Sequence, residues 1–209
     1  MKTIKGQVFS LLEKNQPIPY LTISMDLGAD VSIFSLGKDT DISSESYPFS
    51  SCVYVLGGKG MIGDIIFDKD DFMLVEKDVS VGKKTEDGIV YIEFKLSKEN
   101  VMTNLIKPGE VYKLKDLIKY QENKVVNLDV FHTEKSKLAL IAMAKGTKLD
   151  AHKAPGEALL FILDGEGTIS YEGKDYKVHQ GDNFSFAKGG LHAVSADENL
   201  QFALLLELC

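Results

Sequence analysis

Apolar residues along this chain come in short runs broken by glycine or charge. Segments 138–144, 158–163, 168–171, 175–178, 183–187 and 201–208 alternate or are continuously apolar over four to eight positions. That is the pattern of strands, since residues two apart share one face. Glu172-Gly173 stands between two alternating segments and predicts a tight hairpin. One segment, 114–120, has helical spacing through Leu114, Leu117 and Ile118, and predicts a short helix. Many short strands in about 100 residues predict sandwiches or barrels, not a parallel sheet with crossover helices.

The pattern occurs twice. Gly6-Gln7-Val8-Phe9-Ser10-Leu11 returns as Gly109-Glu110-Val111-Tyr112-Lys113-Leu114, an offset of 103. At an offset of 107, Ile33-Phe34-Ser35-Leu36 matches Leu140-Ile141-Ala142-Met143, and Pro48 falls on Pro155. Val53 to Gly60 matches Leu160 to Gly167 at the same offset. Ordered matches with so small a drift predict two copies of one unit. The boundaries expected are 1–97, a linker at 98–108, and 109–209, with Pro108-Gly109 punctuating the join. The first copy has a trimmed hairpin, because Gly60 to Asp71 spans 11 positions where Gly167 to Asp182 spans 15. Continuous apolar runs such as 202–206 need cover on both faces, so the copies are expected to form an intramolecular pseudo-dimer, with a homodimer left open.

Composition narrows the function. With 24 basic and 31 acidic residues the net charge is −7, which argues against a nucleic-acid binder. No apolar run reaches the roughly 20 residues of a membrane helix. The opening residues lack the apolar stretch of a secretion signal, and Cys52 and Cys209 do not make a disulfide framework. A reducing, cytoplasmic setting is the expectation. Phosphate-loop, dinucleotide and serine-hydrolase signatures are absent. Cys52 lies in an apolar run and reads as a buried thiol. Glu76-Lys77-Asp78 and Lys83-Lys84 read as solvated turns.

The second copy carries a specific spacing. Gly146 is followed after five residues by His152, then by Ala154, by Ala158 after three more, and by Gly165 after six. Gly181 is followed after five residues by Ala187, then by Gly189 and by His192. This resembles the two motifs of the cupin superfamily, whose metal-binding members place three histidines and a glutamate at such positions. The resemblance covers all of the second copy, and the first through the repeat. It implies an all-β chain of two tandem cupin barrels (double-stranded β-helix, or jelly roll), with one or two short helices: a bicupin.

Only half the ligand identities stand here. His152 and His192 are kept, while Ala154 and Ala158 occupy the places of the second histidine and the glutamate. Two imidazoles are too few for most catalytic metal sites, which hold three protein ligands. Asp150 and Glu157 are the nearest spare carboxylates. Asp150 would share a face with His152 on an extended strand, whereas Glu157 is one residue out of phase with Ala158. The leading expectation is a small-molecule-binding protein with its pocket in the second barrel, around His152, His192, Ala154, Ala158 and Glu157. Leu140, Ala142, Leu160, Ile162, Phe184 and Phe186 or their strand neighbours would form the walls. The alternative is a metal-dependent enzyme of dioxygenase, isomerase or decarboxylase type. It would hold one divalent iron, manganese, nickel or zinc with His152, His192 and one carboxylate.

The other histidines read as structural. His132 is expected at a turn and His179 on the solvent face of its strand. In the first copy Glu45, Tyr47 and Ser51 stand at the places of His152, Ala154 and Ala158, and Val79-Ser80-Val81 at that of His192. No ligand set survives there. Gly165 and Gly189 are expected at turns of positive φ, because each follows a strand end where the chain reverses.

Overall fold

The computed structural model describes residues 4–28, 30–96 and 101–208. It is all-β, as the periodicity predicts. The strands of the N-terminal region are β1 (Val8–Phe9), β2 (Thr22–Gly28), β3 (Val31–Leu36), β4 (Thr40–Glu45), β5 (Ser51–Ile62) and β6 (Ile65–Asp68). They continue with β7 (Asp71–Val75), β8 (Val81–Lys95), β9 (Val101–Met102) and β10 (Val111–Lys113). Then come β11 (Val125–His132), β12 (Ser136–Met143), β13 (Lys148–Lys153) and β14 (Glu157–Tyr171). The last are β15 (Lys174–His179), β16 (Asn183–Phe186) and β17 (Leu191–Glu207). One α-helical turn, α1 (Leu11–Lys14), precedes β2. No helix among the described residues is long and apolar enough to cross a membrane.

Each sheet is organised by two long antiparallel strands that bend together. β14 and β17 pair along their lengths, from Glu157↔Glu207 to Tyr171↔His192, with register shifts at Ile162/Asp164 and Gly165/Gly167. Below the shifts β12 and β16 flank the pair; above them β13 and β15 do. β5 and β8 repeat this, with shifts at Val55/Gly57 and Lys59/Met61. Their flanking strands are β3 and β7 on one half, β4 and β6 on the other. A bulge bends a strand and increases its twist, so each pair turns one corner and closes a barrel. The repeat read from the sequence therefore carries its bulges with it: the first shift recurs at the offset of 107 and the second one residue away from it.

The strand at the head of each repeat lies on the other copy's sheet. Val8↔Phe184 and Phe9↔Asn183 put β1 on β16, while Val111↔Met73 and Tyr112↔Phe72 put β10 on β7. The chain accordingly forms two compact units, one of 1–10, 101–103 and 114–209, the other of 11–100 and 104–113. Helical spacing over 114–120 yields only a 3₁₀ turn, Leu114–Asp116. A segment that short cannot offset helix nucleation, and its apolar residues Leu114 and Ile118 are buried instead by packing. The continuous register of β14 also joins 158–163 to 168–171 in one strand, and 191–200 extends 201–208 in the same way.

The hairpin at Glu172-Gly173 is as expected: both residues have positive φ, 49° and 78°, which matches the twist of flanking strands. The trimmed hairpin turns at Gly63-Asp64. Gly165 and Gly189 have the expected positive φ, 75° and 80°; Gly189 lies at a turn, but Gly165 lies inside β14 at a register shift and not at a strand end. A Cβ on Gly165 would sit 1.6 Å from the Asn199 carbonyl oxygen, whereas one on Gly189 would meet nothing within 4 Å. Gly189→Ala should cost about 1 kcal/mol, or about 2–4 °C in a chain of this size. Gly165→Ala should lower the melting temperature by clearly more, since backbone must move as well. Thermal melting of both variants checks the order, and equal shifts would refute it.

Candidate functional site

His152 and His192 are brought together by backbone register. They are directly opposed across β13 and β17, and their ring centroids lie 4.2 Å apart at 54°. The equivalent strands of the other unit oppose Glu45 and Val81 in the same way, as the repeat predicts. His192 is buried, and His152 beside it is exposed, so the pair runs from the barrel interior to the surface. His152 Nδ1 bonds the Asp150 carbonyl at 2.8 Å, and His192 Nδ1 bonds the Gly190 carbonyl at 3.2 Å. A carbonyl oxygen only accepts, so each Nδ1 donates and each neutral ring keeps its lone pair on Nε2.

Aromatic packing sets the electrostatics. Phe186 stacks on His192 at 4.0 Å and 25°. It is opposed in register to Ala158, so a small residue on β14 makes room for a large one on β16. Tyr171 is opposed to His192, and its ring lies against both Phe184 and Phe186. The Tyr171 hydroxyl accepts from the Ala187 backbone N–H at 3.3 Å. Burial holds His192 below the ordinary histidine range; the Gly190 carbonyl opposes this, and His152 adds to it.

Ala154 and Ala158 are both buried in the same apolar cluster as Phe184, Phe186, Leu160 and Ile162. The space beside these two small side chains is therefore filled by other side chains. On β12 the residues in that cluster are Ala139, Ile141 and Met143, the strand neighbours of the Leu140 and Ala142 named as walls.

The carboxylates lie elsewhere. A register shift between Leu149 and His152 breaks the alternation that would have put Asp150 beside His152. The Asp150 carboxylate is exposed and pairs with Lys148 at 3.0 Å. Glu157 bonds Lys5 at 2.8 Å, which holds its carboxyl below the usual range. It lies one residue out of phase with the inward Ala158. Among the described residues no group of three or more histidine, cysteine, aspartate or glutamate side chains is gathered to hold a metal ion. The residues present do not fit the metal that the family motif implies.

His132 and His179 are exposed, and His179 lies beside Glu166 and Asp182 at 3.7 and 3.6 Å. Cys52 is fully buried, which pushes its thiol up and makes it inert; Cys209 lies outside the described residues. In the other barrel Glu45, Tyr47 and Ser51 line a cavity of about 10 Å³ with Lys83 and Glu93, room for about one water. The Tyr47 hydroxyl donates to Glu45. Lys83 is no solvated turn: it lies on β8, largely buried, and pairs with Glu93 at 3.1 Å. Sequence inspection missed this pair, although Tyr91 and Glu93 are two apart on a strand and Lys83 lies further along it. It named Phe186 as a wall but missed Tyr171 beside it, because a cross-strand partner is not encoded in local spacing.

Residues 139–207 match the Cupin domain family. The chain is similar over 99% of its length to the Cupin 2 conserved barrel domain protein from Leptotrichia buccalis, covering 98% of that chain at 25% identity and a TM-score of 0.83. It also shares the fold of a salicylate 1,2-dioxygenase from Pseudaminobacter salicylatoxidans, at 10% identity and a TM-score of 0.66, over 96% of this chain and 84% of that one. No curated protein matches. Residues 139–207 thus resemble a cupin domain, and the chain as a whole shares the fold of a cupin barrel protein.

His192 carries a pH prediction. Its unfolded form titrates at about 6.5 while the folded form titrates lower. Between those values the unfolded chain binds the extra proton, so stability rises with pH and falls as pH drops below about 6.5. Melting temperature against pH should lose that component in His192→Phe. In Phe186→Ala, proton NMR should place the His192 titration nearer its ordinary value. Unchanged titration in Phe186→Ala would mean that burial is not the cause.

Proposed function

We propose that this chain is a bicupin that binds a small organic molecule at the mouth of the barrel built from β11 to β17, through the paired Nε2 lone pairs of His152 and His192. The observation that carries the reading is the pair itself. Two rings 4.2 Å apart, each with Nδ1 held by a carbonyl, leave two Nε2 lone pairs side by side at one register position. Such fixed polar groups against an apolar, aromatic lining are what orients a ligand in a pocket.

The tautomers choose the ligand class. Near neutral pH His192 is uncharged and its Nε2 accepts, so the matching ligand offers hydroxyl or N–H donors, as a polyol or a phenol does. A carboxylate is disfavoured there, and gains only when acid protonates the ring. Tyr171, which is only partly buried and packs on Phe186, supplies an apolar ring against which a sugar or aromatic ligand can lie. The metal-enzyme reading needs a third ligand. Its candidates are spoken for, Asp150 by Lys148 and Glu157 by Lys5. The polar cluster of the other barrel is internally paired and leaves space for about a water, so it serves as scaffold.

Histidine-selective ¹⁵N NMR on the full chain above the His192 titration tests this. Titrating monosaccharides and catechol should shift the Nε2 signals of both rings, and benzoate should not. His152→Ala should weaken the response by up to about tenfold, the worth of one hydrogen bond. Metal analysis of protein purified without added metal should find little. Near-stoichiometric iron, manganese, nickel or zinc that disappears in His192→Ala would overturn the reading, as would a response to benzoate alone.

A further inference from the structure

The histidine barrel is plugged by rings where the other barrel carries aliphatic side chains at the same register positions. Phe186 opposes Ala158 and Phe184 opposes Leu160, whereas Val75 opposes Ser51 and Met73 opposes Val53. Tyr176 opposes Ile169 where Ile65 opposes Ile62, and Val81 stands at the place of His192. Tyr176 lies 5.2 Å from Phe184, Phe184 5.2 Å from Phe186, and Phe186 4.0 Å from His192. Rings at such spacings pack in contact. The hairpin differs too: β14 and β15 pair over six positions, β5 and β6 over only four. At the offset of 107, Tyr171 falls on Asp64, in the turn of the shorter hairpin.

Smaller side chains and a shorter hairpin leave a cavity of about 390 Å³. Its apolar lining is Ile62, Ile65, Met73, Val75, Val79 and Val81. All but Val79 belong to the apolar cluster of that barrel or pack against it, so the cavity opens onto the core. The volume falls toward the lower end of the about 300–1,000 Å³ typical of small-molecule pockets. Asp64 and Glu76 also line it, and both are exposed. Among the described residues neither carboxylate makes a hydrogen bond or an ion pair. The lining has no basic side chain among these residues, and Lys83, two positions beyond Val81, is held by Glu93 at 3.1 Å.

We propose that this cavity binds a small hydrophobic amine, its alicyclic or aryl body against the aliphatic lining and its ammonium group facing Asp64 and Glu76. Charge and apolar surface select together. An ammonium meets two carboxylates that have no other partner, whereas an acidic ligand meets two like charges. A neutral alcohol of the same shape gains the apolar contact alone. Met73, unbranched and adaptable, lets the lining follow the shape of a ring. The site is separate from the histidine pair, which suits neutral hydroxyl or N–H donors. Glu45 and Tyr47, bonded to each other, do not line this cavity.

Methyl NMR of the full-length protein, labelled at the methionine ε-methyl groups, tests this through the Met73 signal. Met73→Leu identifies that signal among the six methionines. Cyclohexylmethylamine and benzylamine should shift it saturably, cyclohexylmethanol only at higher concentration, and cyclohexanecarboxylate not at all. Asp64→Asn with Glu76→Gln should weaken the amines by up to about tenfold, since exposed ion pairs are individually weak, and should erase their advantage over the alcohol. Val75→Phe puts a ring where the other barrel has Phe186, opposite the small Ser51, and should abolish the response. Ile65→Tyr, which copies Tyr176, blocks the cavity from β6 and serves if Val75→Phe does not fold. Circular dichroism and melting establish that each variant is folded. A Met73 signal that neither amine moves overturns the proposal. So does one moved as readily by the alcohol or the carboxylate, or one still moved by amines in a folded Val75→Phe or Ile65→Tyr.

Discussion

Everything in this molecule hangs on the bulged pairing of two long strands, β14 with β17 and β5 with β8. A flat ladder of fifteen residues would make a sheet with two open edges. The register shifts at Ile162/Asp164 and Gly165/Gly167, and at Val55/Gly57 and Lys59/Met61, let the same pair serve two sheets. Gly165 shows why the corner is demanding, with positive φ and another strand's carbonyl lying where its Cβ would be. Once the corner is set, flanking strands on either side have one place to dock. His192 on β17 and His152 on β13 meet because that corner fixes their register.

The site combines two paired histidines with small side chains whose neighbours fill the space beside them. Alanines stand at 154 and 158, where the cupin motif has metal donors, and Phe186 fills the volume opposite Ala158. Its ring covers His192 and desolvates it, which keeps the imidazole neutral where an exposed one would begin to protonate. One apolar side chain thus changes both the volume of the mouth and the hydrogen-bonding sense of its floor.

The other barrel reached a different solution from the same frame. Where one carries opposed histidines, the other carries Glu45 opposite Val81, and a largely buried Lys83–Glu93 pair sits beside them. Taking two charges out of water is unfavourable unless they are paired, and breaking such a pair costs more than it contributes when formed. The pair therefore fixes the interior of that barrel more than it stabilises it. Strands β1 and β10 tie each repeat to the other copy's sheet, so the repeats share their edges while their interiors diverge.

How much of this was legible in the sequence depends on the range of the interaction involved. Period-two alternation, the Glu172-Gly173 turn and the offsets of 103 and 107 depend on near neighbours or on the repeat, and they determined an all-β chain of two similar units. The spacing from Gly146 to His192 likewise determined which residues would converge, because a repeated fold carries its register with it. Four things were decided only in three dimensions. The head strands changed partners, because β pairing depends on which edge is open and not on which copy is adjacent in sequence. Asp150 left the site through a bulge that no composition signals. Phe186 closed the space above Ala158, and Lys83 turned inward to Glu93, because side chains answer to cross-strand neighbours tens of residues away. Local sequence sets a strand's two faces; only packing decides what each face meets.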